Sequence, residues 1–250
     1  MRDVGSITCE YGNQRDEFVA LAIEAMARLA AKRCDGGKDL RKLLLNRVLE
    51  TACDEREPSL QLLLSEFRDA RVSMSDVADT YIPEAAKVLG RRWETDMASF
   101  AEVTIGMSRL HDLLHLVQDR DSADLSVNGG ESAVLMVVPP NEQHTLGALV
   151  AAGMLRRRGV SVCMKFSPGL SDLTILLANR QFDAALITLG SVERLEICAK
   201  LVKTLKQMTK GSLGIVVGGA CADVCREVLL DAGADAVTND IPKVIEQFGL

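Results

Sequence analysis

From Ala133 onward, short apolar runs alternate with segments of helical periodicity, and few architectures accept that pattern. The apolar runs fall near 132–139, 160–166, 183–189, 213–217 and 235–238. Helical patterns follow them at 146–158, 171–180, 192–209, 222–232 and 242–248. The runs are rich in Val, Leu, Ile and Ala and too short for buried helices, so they read as strands covered on both faces. Strand-helix units of this length predict a parallel sheet with helices on both sides.

Right-handed crossovers make the flavodoxin-like (Rossmann-like) strand order 2-1-3-4-5 the economical choice for five such strands. Its switch point lies between strands 1 and 3, so the loops after strands 1, 3 and 4 should line one crevice.

The first half has a different periodicity. Phe18, Ala22, Ala25 and Leu29 recur at helical spacing up to the breaker Asp35-Gly36-Gly37, and helices are expected at about 38–53 and 58–70, the second with Pro58 early in it. Ser73 or Ser75 can cap the next helix, through Asp76 to Tyr81, and Pro83 introduces another from Glu84 to Trp93. The pattern breaks between Thr95 and Ala98. Ser99 and Glu102 then form an S-x-x-E capping box for a helix to about Val117. Helices with such narrow apolar stripes should pack as a bundle. The polar stretch QDRDSADLSVNGGE separates the two halves. We therefore expect a flexible tail at 1–14, a helical bundle at 15–118, a linker at 119–131 and an α/β domain at 132–250.

A net charge of −6 and a pI of about 5.2 argue against a large phosphate-binding surface, so any link to nucleic acid should run through a protein partner. No apolar run reaches the length of a membrane span and the first residues, MRDVGSITCEYG, lack a signal-peptide core; we expect a soluble, cytoplasmic protein. Seven cysteines without CxxC pairs read as reduced thiols, Cys221 and Cys225 standing four apart on an expected helix.

The three crevice loops carry the chemistry. After strand 1, Pro139-Pro140 ends the run AVLMVV and is followed by Glu142, His144 and Gly147, with Thr145 at the helix start. After strand 3 come Thr188, Leu189, Gly190 and Ser191, and after strand 4 Gly218 and Gly219. An imidazole, hydroxyls and bare backbone together suit a large, flat or elongated ligand with a soft electrophilic centre.

These residues resemble a cobalamin-binding domain, whose pattern runs Asp-x-His-x-x-Gly, Ser-x-Leu and Gly-Gly. Here it stands as Glu142-Gln143-His144-Thr145-Leu146-Gly147, Thr188-Leu189-Gly190 and Gly218-Gly219, with 40 residues between Gly147 and Thr188 and 27 between Gly190 and Gly218. Glu142 replaces the pattern's Asp, and Thr-Leu-Gly replaces Ser-x-Leu. The resemblance implies that His144 ligates cobalt, that Glu142 bonds its other ring nitrogen, and that Thr188, Gly218 and Gly219 receive the nucleotide tail.

The segment Leu89 to Thr104 is similar to the helical domain of B12-dependent photoreceptor regulators, which implies Trp93 over the upper face of the cofactor. A buried bundle tryptophan is the plain alternative. Those photoreceptors have Glu-His where this chain has Val103 and Thr104. From about residue 40 onward the chain more closely resembles the AerR/PpaA-type cobalamin-binding antirepressors of photosynthesis genes in purple bacteria.

That resemblance implies adenosyl- or hydroxocobalamin as cofactor and a repressor-type transcription factor as partner. It implies a regulator, possible light responsiveness and no enzymatic activity. Two alternatives remain: a corrinoid carrier for methyl transfer, and a haem sensor using the same histidine. His111 and His115, four apart on one helix, read as packing or exposed residues, Arg156 to Arg158 as a helix end, and Lys200, Lys203, Lys206 and Lys210 as a solvated helix face.

Overall fold

A computed structural model describes residues 36–54, 59–124 and 132–250. The expected tail, the helix around Phe18 to Leu29 and Pro58 lie outside the described residues. The chain divides into two units, Met1–Asp121 and Ser122–Leu250.

Helix α1 (Gly36–Cys53) starts at the glycines expected to end a preceding helix. Helix α2 (Leu60–Asp69) is capped by Ser59, whose hydroxyl accepts from the Leu62 N–H at 3.2 Å. Ser73 caps the next helical stretch, accepting from the Asp76 N–H at 3.0 Å. That stretch does not stop at Tyr81. Helix α3 (Met74–Asp76) continues through a π-helical turn (Val77–Tyr81) into α4 (Ile82–Glu94). Pro83 has no N–H to give and would clash with a carbonyl one turn back; the wider turn just before it accommodates both demands.

Asp96, with φ of 54°, reverses the chain, and the capping box forms as expected: Ser99 N–H to Glu102 Oε2 at 2.7 Å, Glu102 N–H to Ser99 Oγ at 3.2 Å. The helix it opens, α5 (Phe100–Asp124), runs past Val117 into the stretch read as linker. Composition alone does not end a helix.

Leu44, Leu63, Leu64, Phe67, Ile82, Leu89, Leu110, Leu113 and Leu114 fill the helical core. Arg109 closes α1 by donating to the carbonyls of Ala52 and Asp54. Trp93 is not part of this core. It is 54% exposed, beside the exposed Met97 and Phe100 in sequence. His111 Nδ1 lies 2.8 Å from the Met107 carbonyl, and His115 is exposed.

The second unit is the expected α/β fold. Strands β1 (Ala133–Val138), β2 (Ser161–Phe166), β3 (Ala184–Thr188), β4 (Gly214–Gly218) and β5 (Ala236–Val237) form one parallel sheet in the order β2-β1-β3-β4-β5. Helices α6 (Leu146–Arg157), α7 (Leu170–Asn179), α8 (Leu195–Met208), α9 (Arg226–Asp231) and α10 (Ile241–Phe248) cover it.

Alternate residues of each central strand serve opposite faces. Leu135, Val137, Ala185, Ile187, Ile215 and Val217 pack under α7, α8 and α9. Val134, Met136, Val138, Ala184, Leu186 and Val216 pack under α6 and α10. Lys206 departs from the solvated-face reading: it is half-buried and donates to Asp235 Oδ2 at 2.6 Å and the Leu213 carbonyl at 3.1 Å. Among the described residues, no helix is long and apolar enough to cross a membrane.

Candidate functional site

The carboxyl ends of β1, β3 and β4 lie at one end of the sheet, so the three expected loops emerge together. After β1, Asn141 takes a left-handed conformation (φ 61°) and Glu142 N–H bonds back to the Pro139 carbonyl at 3.2 Å. This tight turn directs the Glu142 side chain inward, where only 1% of it is exposed, and leaves the His144 ring 63% exposed.

Glu142 organises the site. Its Oε1 accepts the His144 backbone N–H at 2.8 Å and lies 2.7 Å from His144 Nδ1, while Oε2 accepts the Gly190 N–H from the loop after β3 at 2.8 Å. Burial would push this carboxyl up, but the bonds from the His144 and Gly190 amides and from the imidazole outweigh it and hold the group below the ordinary carboxylate range. Against an ionised carboxylate, Nδ1 must carry the ring proton. With Nδ1 engaged in this way, Nε2 is the ring nitrogen left for a metal.

The loop after β3 fits closely against this pair. A Cβ on Gly190 would stand 2.6 Å from His144 Cβ and 2.8 Å from Glu142 Oε1, so no other residue fits without displacement. Thr188 is buried, and its Oγ1 has no hydrogen-bond partner among the described residues. A buried hydroxyl left this way costs about 1–3 kcal/mol, a cost that a bound polar group would remove. The Leu189 side chain is fully buried in the core, so it reaches the site only through its backbone. Ser191 starts the 3₁₀ turn Val192–Arg194, its carbonyl accepting the Arg194 N–H.

After β4, Gly219 has φ of +118°, and a Cβ there would lie 2.4 Å from the Leu189 carbonyl oxygen. Asn239, at the end of β5, clasps this glycine: its Oδ1 accepts the Gly219 N–H at 2.6 Å and its Nδ2 donates to the Gly219 carbonyl at 3.2 Å. Gly218 lies against the Thr238 carbonyl, 3.0 Å from where a Cβ would be. Gly147, in the first turn of α6, faces open space. Thr145 occupies the N-cap position of that helix, and its carbonyl accepts the Leu149 N–H.

The structure thus brings Glu142, His144, Thr188, Gly190, Gly218 and Gly219 together, with Thr145 and Gly147 on the flank. Trp93 belongs to the helical unit. Two residues of the site were not expected, Asn239 and Cys221. Asn239 had a usable signal, an amide directly after a strand and before the Asp240 helix cap. Cys221 had none, because it was read as helical. Residues 221–225 form turns ahead of α9, and the Cys221 N–H donates to the Leu189 carbonyl at 3.2 Å. Among the described residues, no group of three or more His, Cys, Asp or Glu is arranged to hold a metal ion.

No protein-family model matches the chain. A 20.5 kDa protein of Rhodobacter capsulatus, described by its place in the bchF-crtJ intergenic region, is 53% identical over 191 residues, covering 76% of this chain and all of the relative. The chain belongs to that protein's family. Among solved structures, the monomethylamine corrinoid protein of Methanosarcina barkeri matches with a TM-score of 0.59 at 16% identity, over 84% of this chain and 94% of that one. A cobalamin-binding protein of Desulfitobacterium hafniense DCB-2 aligns over 92% and 98% of the two chains at 14% identity, with a TM-score of 0.44. For this family the M. barkeri likeness establishes the fold, a helical part followed by a five-stranded parallel sheet with helices.

Proposed function

We propose that this chain is a cobalamin-binding regulator that acts on transcription through a repressor protein. The observation that carries the cofactor assignment is the buried Glu142 carboxylate holding Nδ1 of an exposed His144, beside the unpartnered hydroxyl of Thr188. His144 would ligate cobalt through Nε2, and Glu142 would fix its tautomer and raise its basicity. Thr188 would bond the nucleotide tail, against the bare backbone of Gly218 and Gly219. The open space over Gly147 admits bulk beside the imidazole. When bound, cobalamin supplies a cobalt centre whose upper ligand can be exchanged, which is a chemical signal a regulator can use.

The regulatory half of the proposal is supported by the R. capsulatus relative's place in the bchF-crtJ region, a photosynthesis-gene setting. The charge of −6 leaves little capacity for holding DNA directly. Cofactor binding can alter partner binding only if each ligand binds one conformer more tightly than the other.

Two measurements test this. Purified protein mixed with hydroxocobalamin in the dark should retain it through gel filtration with a histidine-ligated, base-off corrin spectrum; retention of haem instead would replace the cofactor assignment. The loaded protein should co-purify with a repressor and weaken its grip on promoter DNA. A discrete, sequence-dependent footprint by the protein alone at physiological salt would refute the regulatory half. Methyl transfer to the loaded protein from a partner enzyme, without repressor contact, would put the carrier reading in its place.

A further inference from the structure

Beyond the residues that would touch the cofactor, one side chain holds the loop against which Glu142 and His144 are set. Cys221, in the turn after Gly218-Gly219, makes two bonds to the loop after β3. Its backbone N–H donates to the Leu189 carbonyl at 3.2 Å, and its thiol donates to the Gly190 carbonyl at 3.3 Å. The peptide unit between Leu189 and Gly190 therefore accepts from Cys221 on one side and donates to Glu142 Oε2 on the other, at 2.8 Å. Glu142 in turn holds the amide and Nδ1 of His144.

Glycine is obligatory at position 190, because a Cβ would collide with His144. The same lack of a Cβ leaves the backbone there with more freedom than any other residue would have. An outside contact must restrict it, and the Cys221 thiol supplies one. The thiol is half-buried, and burial pushes its pKa up, which keeps it protonated and able to donate.

We infer that Cys221 is a positioning residue for His144, acting through Gly190 and Glu142 to fix the ring's tautomer and orientation. The inference rests on the proposed role of His144 as cobalt ligand, and it extends that role to a thiol on a different loop. A serine can make the same bond to the Gly190 carbonyl and an alanine cannot. Cys225, which lies in the sheet core one turn further on, provides a control that also loses a sulfur.

The test uses the full-length apoprotein with ¹⁵N-labelled histidine, in which two-bond ¹H–¹⁵N correlations report the His144 tautomer, followed by hydroxocobalamin titration. The wild type, Cys225→Ala and Cys221→Ser should show Nδ1–H on His144. Cys221→Ala should show a mixture of tautomers and bind hydroxocobalamin about two- to fivefold more weakly, the loss of one hydrogen bond from a weak thiol donor. Should Cys221→Ala fail to fold, the serine variant carries the test, and a folded serine variant with mixed tautomers would overturn the inference. Cys221→Ala indistinguishable from wild type in tautomer and affinity would also overturn it, leaving cobalt ligation by His144 intact. A tautomer shift in Cys221→Ala with no corrinoid binding by the wild type would instead remove the cofactor reading and retain the positioning role.

Discussion

Glu142 and Gly190 stand 48 positions apart in sequence, yet the carboxylate of the first accepts the N–H of the second at 2.8 Å. With its other oxygen on His144, Glu142 ties the loops after β1 and β3 with a single side chain. Gln at this position would place an NH₂ against either the Gly190 or the His144 amide, so one of the two ties must fail. Glu142→Gln is expected to weaken cobalamin binding about 10–100-fold, as is usual when the group orienting a metal-bound histidine is changed. His144→Ala should abolish the histidine-ligated spectrum. Titrations of both variants followed by absorption check the order.

The same carboxylate sets a pH dependence. Its folded pKa lies below its unfolded one, so its contribution to stability is complete above about pH 4.3 and is lost as the pH falls through the folded value. The difference in unfolding free energy between wild type and Glu142→Gln should shrink as the pH falls below about 5. Urea unfolding at a series of pH values measures it. A difference that grew as the pH fell below about 5 would contradict the assignment of an ionised Glu142.

Three glycines should separate folding from binding. Gly190→Ala and Gly219→Ala force a Cβ into atoms at 2.6 and 2.4 Å, the second at a left-handed φ, and each should cost about 1–3 kcal/mol or more of stability. Gly147→Ala meets nothing within 4 Å and lies in a helix, where alanine is the better residue by up to about 1 kcal/mol. It should leave stability unchanged or raised. If the cofactor occupies the open space there, Gly147→Ala or a larger substitution will still weaken cobalamin binding. Thermal unfolding and titration of the same three variants give both numbers.

In the helical unit, two ion pairs offer a contrast. Arg47 grips Glu66 through two bonds of 3.0 and 2.8 Å, with the Glu66 side chain 4% exposed and Arg47 13%. Arg41 meets Glu84 at 2.7 Å, but the side chains are 53% and 39% exposed. Glu66→Ala leaves a guanidinium largely buried without its main partner and should cost about 3 kcal/mol. Glu84→Ala should cost under about 1 kcal/mol, and less in high salt. Denaturant unfolding of the two variants distinguishes them.

The sheet was legible because each buried strand is a short, unbroken apolar run, and because right-handed crossovers leave little choice of order. The glycine and histidine loops were legible as separate motifs. What holds them together was not: the Glu142 to Gly190 bond, the Asn239 clasp on Gly219 and the Cys221 thiol all join residues remote in sequence, and no local pattern encodes such pairs. Local patterns also misled at a helix start. Residues 221–225 have helical composition, yet they form turns and the regular helix begins only at Arg226. At Pro83 the opposite happened. A residue expected to start a helix is absorbed within a continuing one by a π-turn, whose Val77, Ala78 and Tyr81 are buried.

The upper side of the cofactor yields the last prediction. The chain contains three histidines, and if His144 is the lower ligand only His111 and His115 remain. Val103 and Thr104 occupy the positions where the similar photoreceptor regulators carry Glu-His, and neither side chain is an imidazole. The Thr104 hydroxyl is moreover engaged with the Phe100 carbonyl at 2.7 Å. His111 has one ring nitrogen against the Met107 carbonyl of its own helix, an ordinary packing arrangement for a helical histidine. Illumination of the adenosylcobalamin-loaded protein should therefore leave cobalt with water or hydroxide above and a single histidine below. X-ray absorption at the cobalt edge or resonance methods on ¹⁵N-histidine protein count the coordinated imidazoles. Two would refute this prediction, and the double substitution His111→Ala with His115→Ala would then identify the source by returning the count to one.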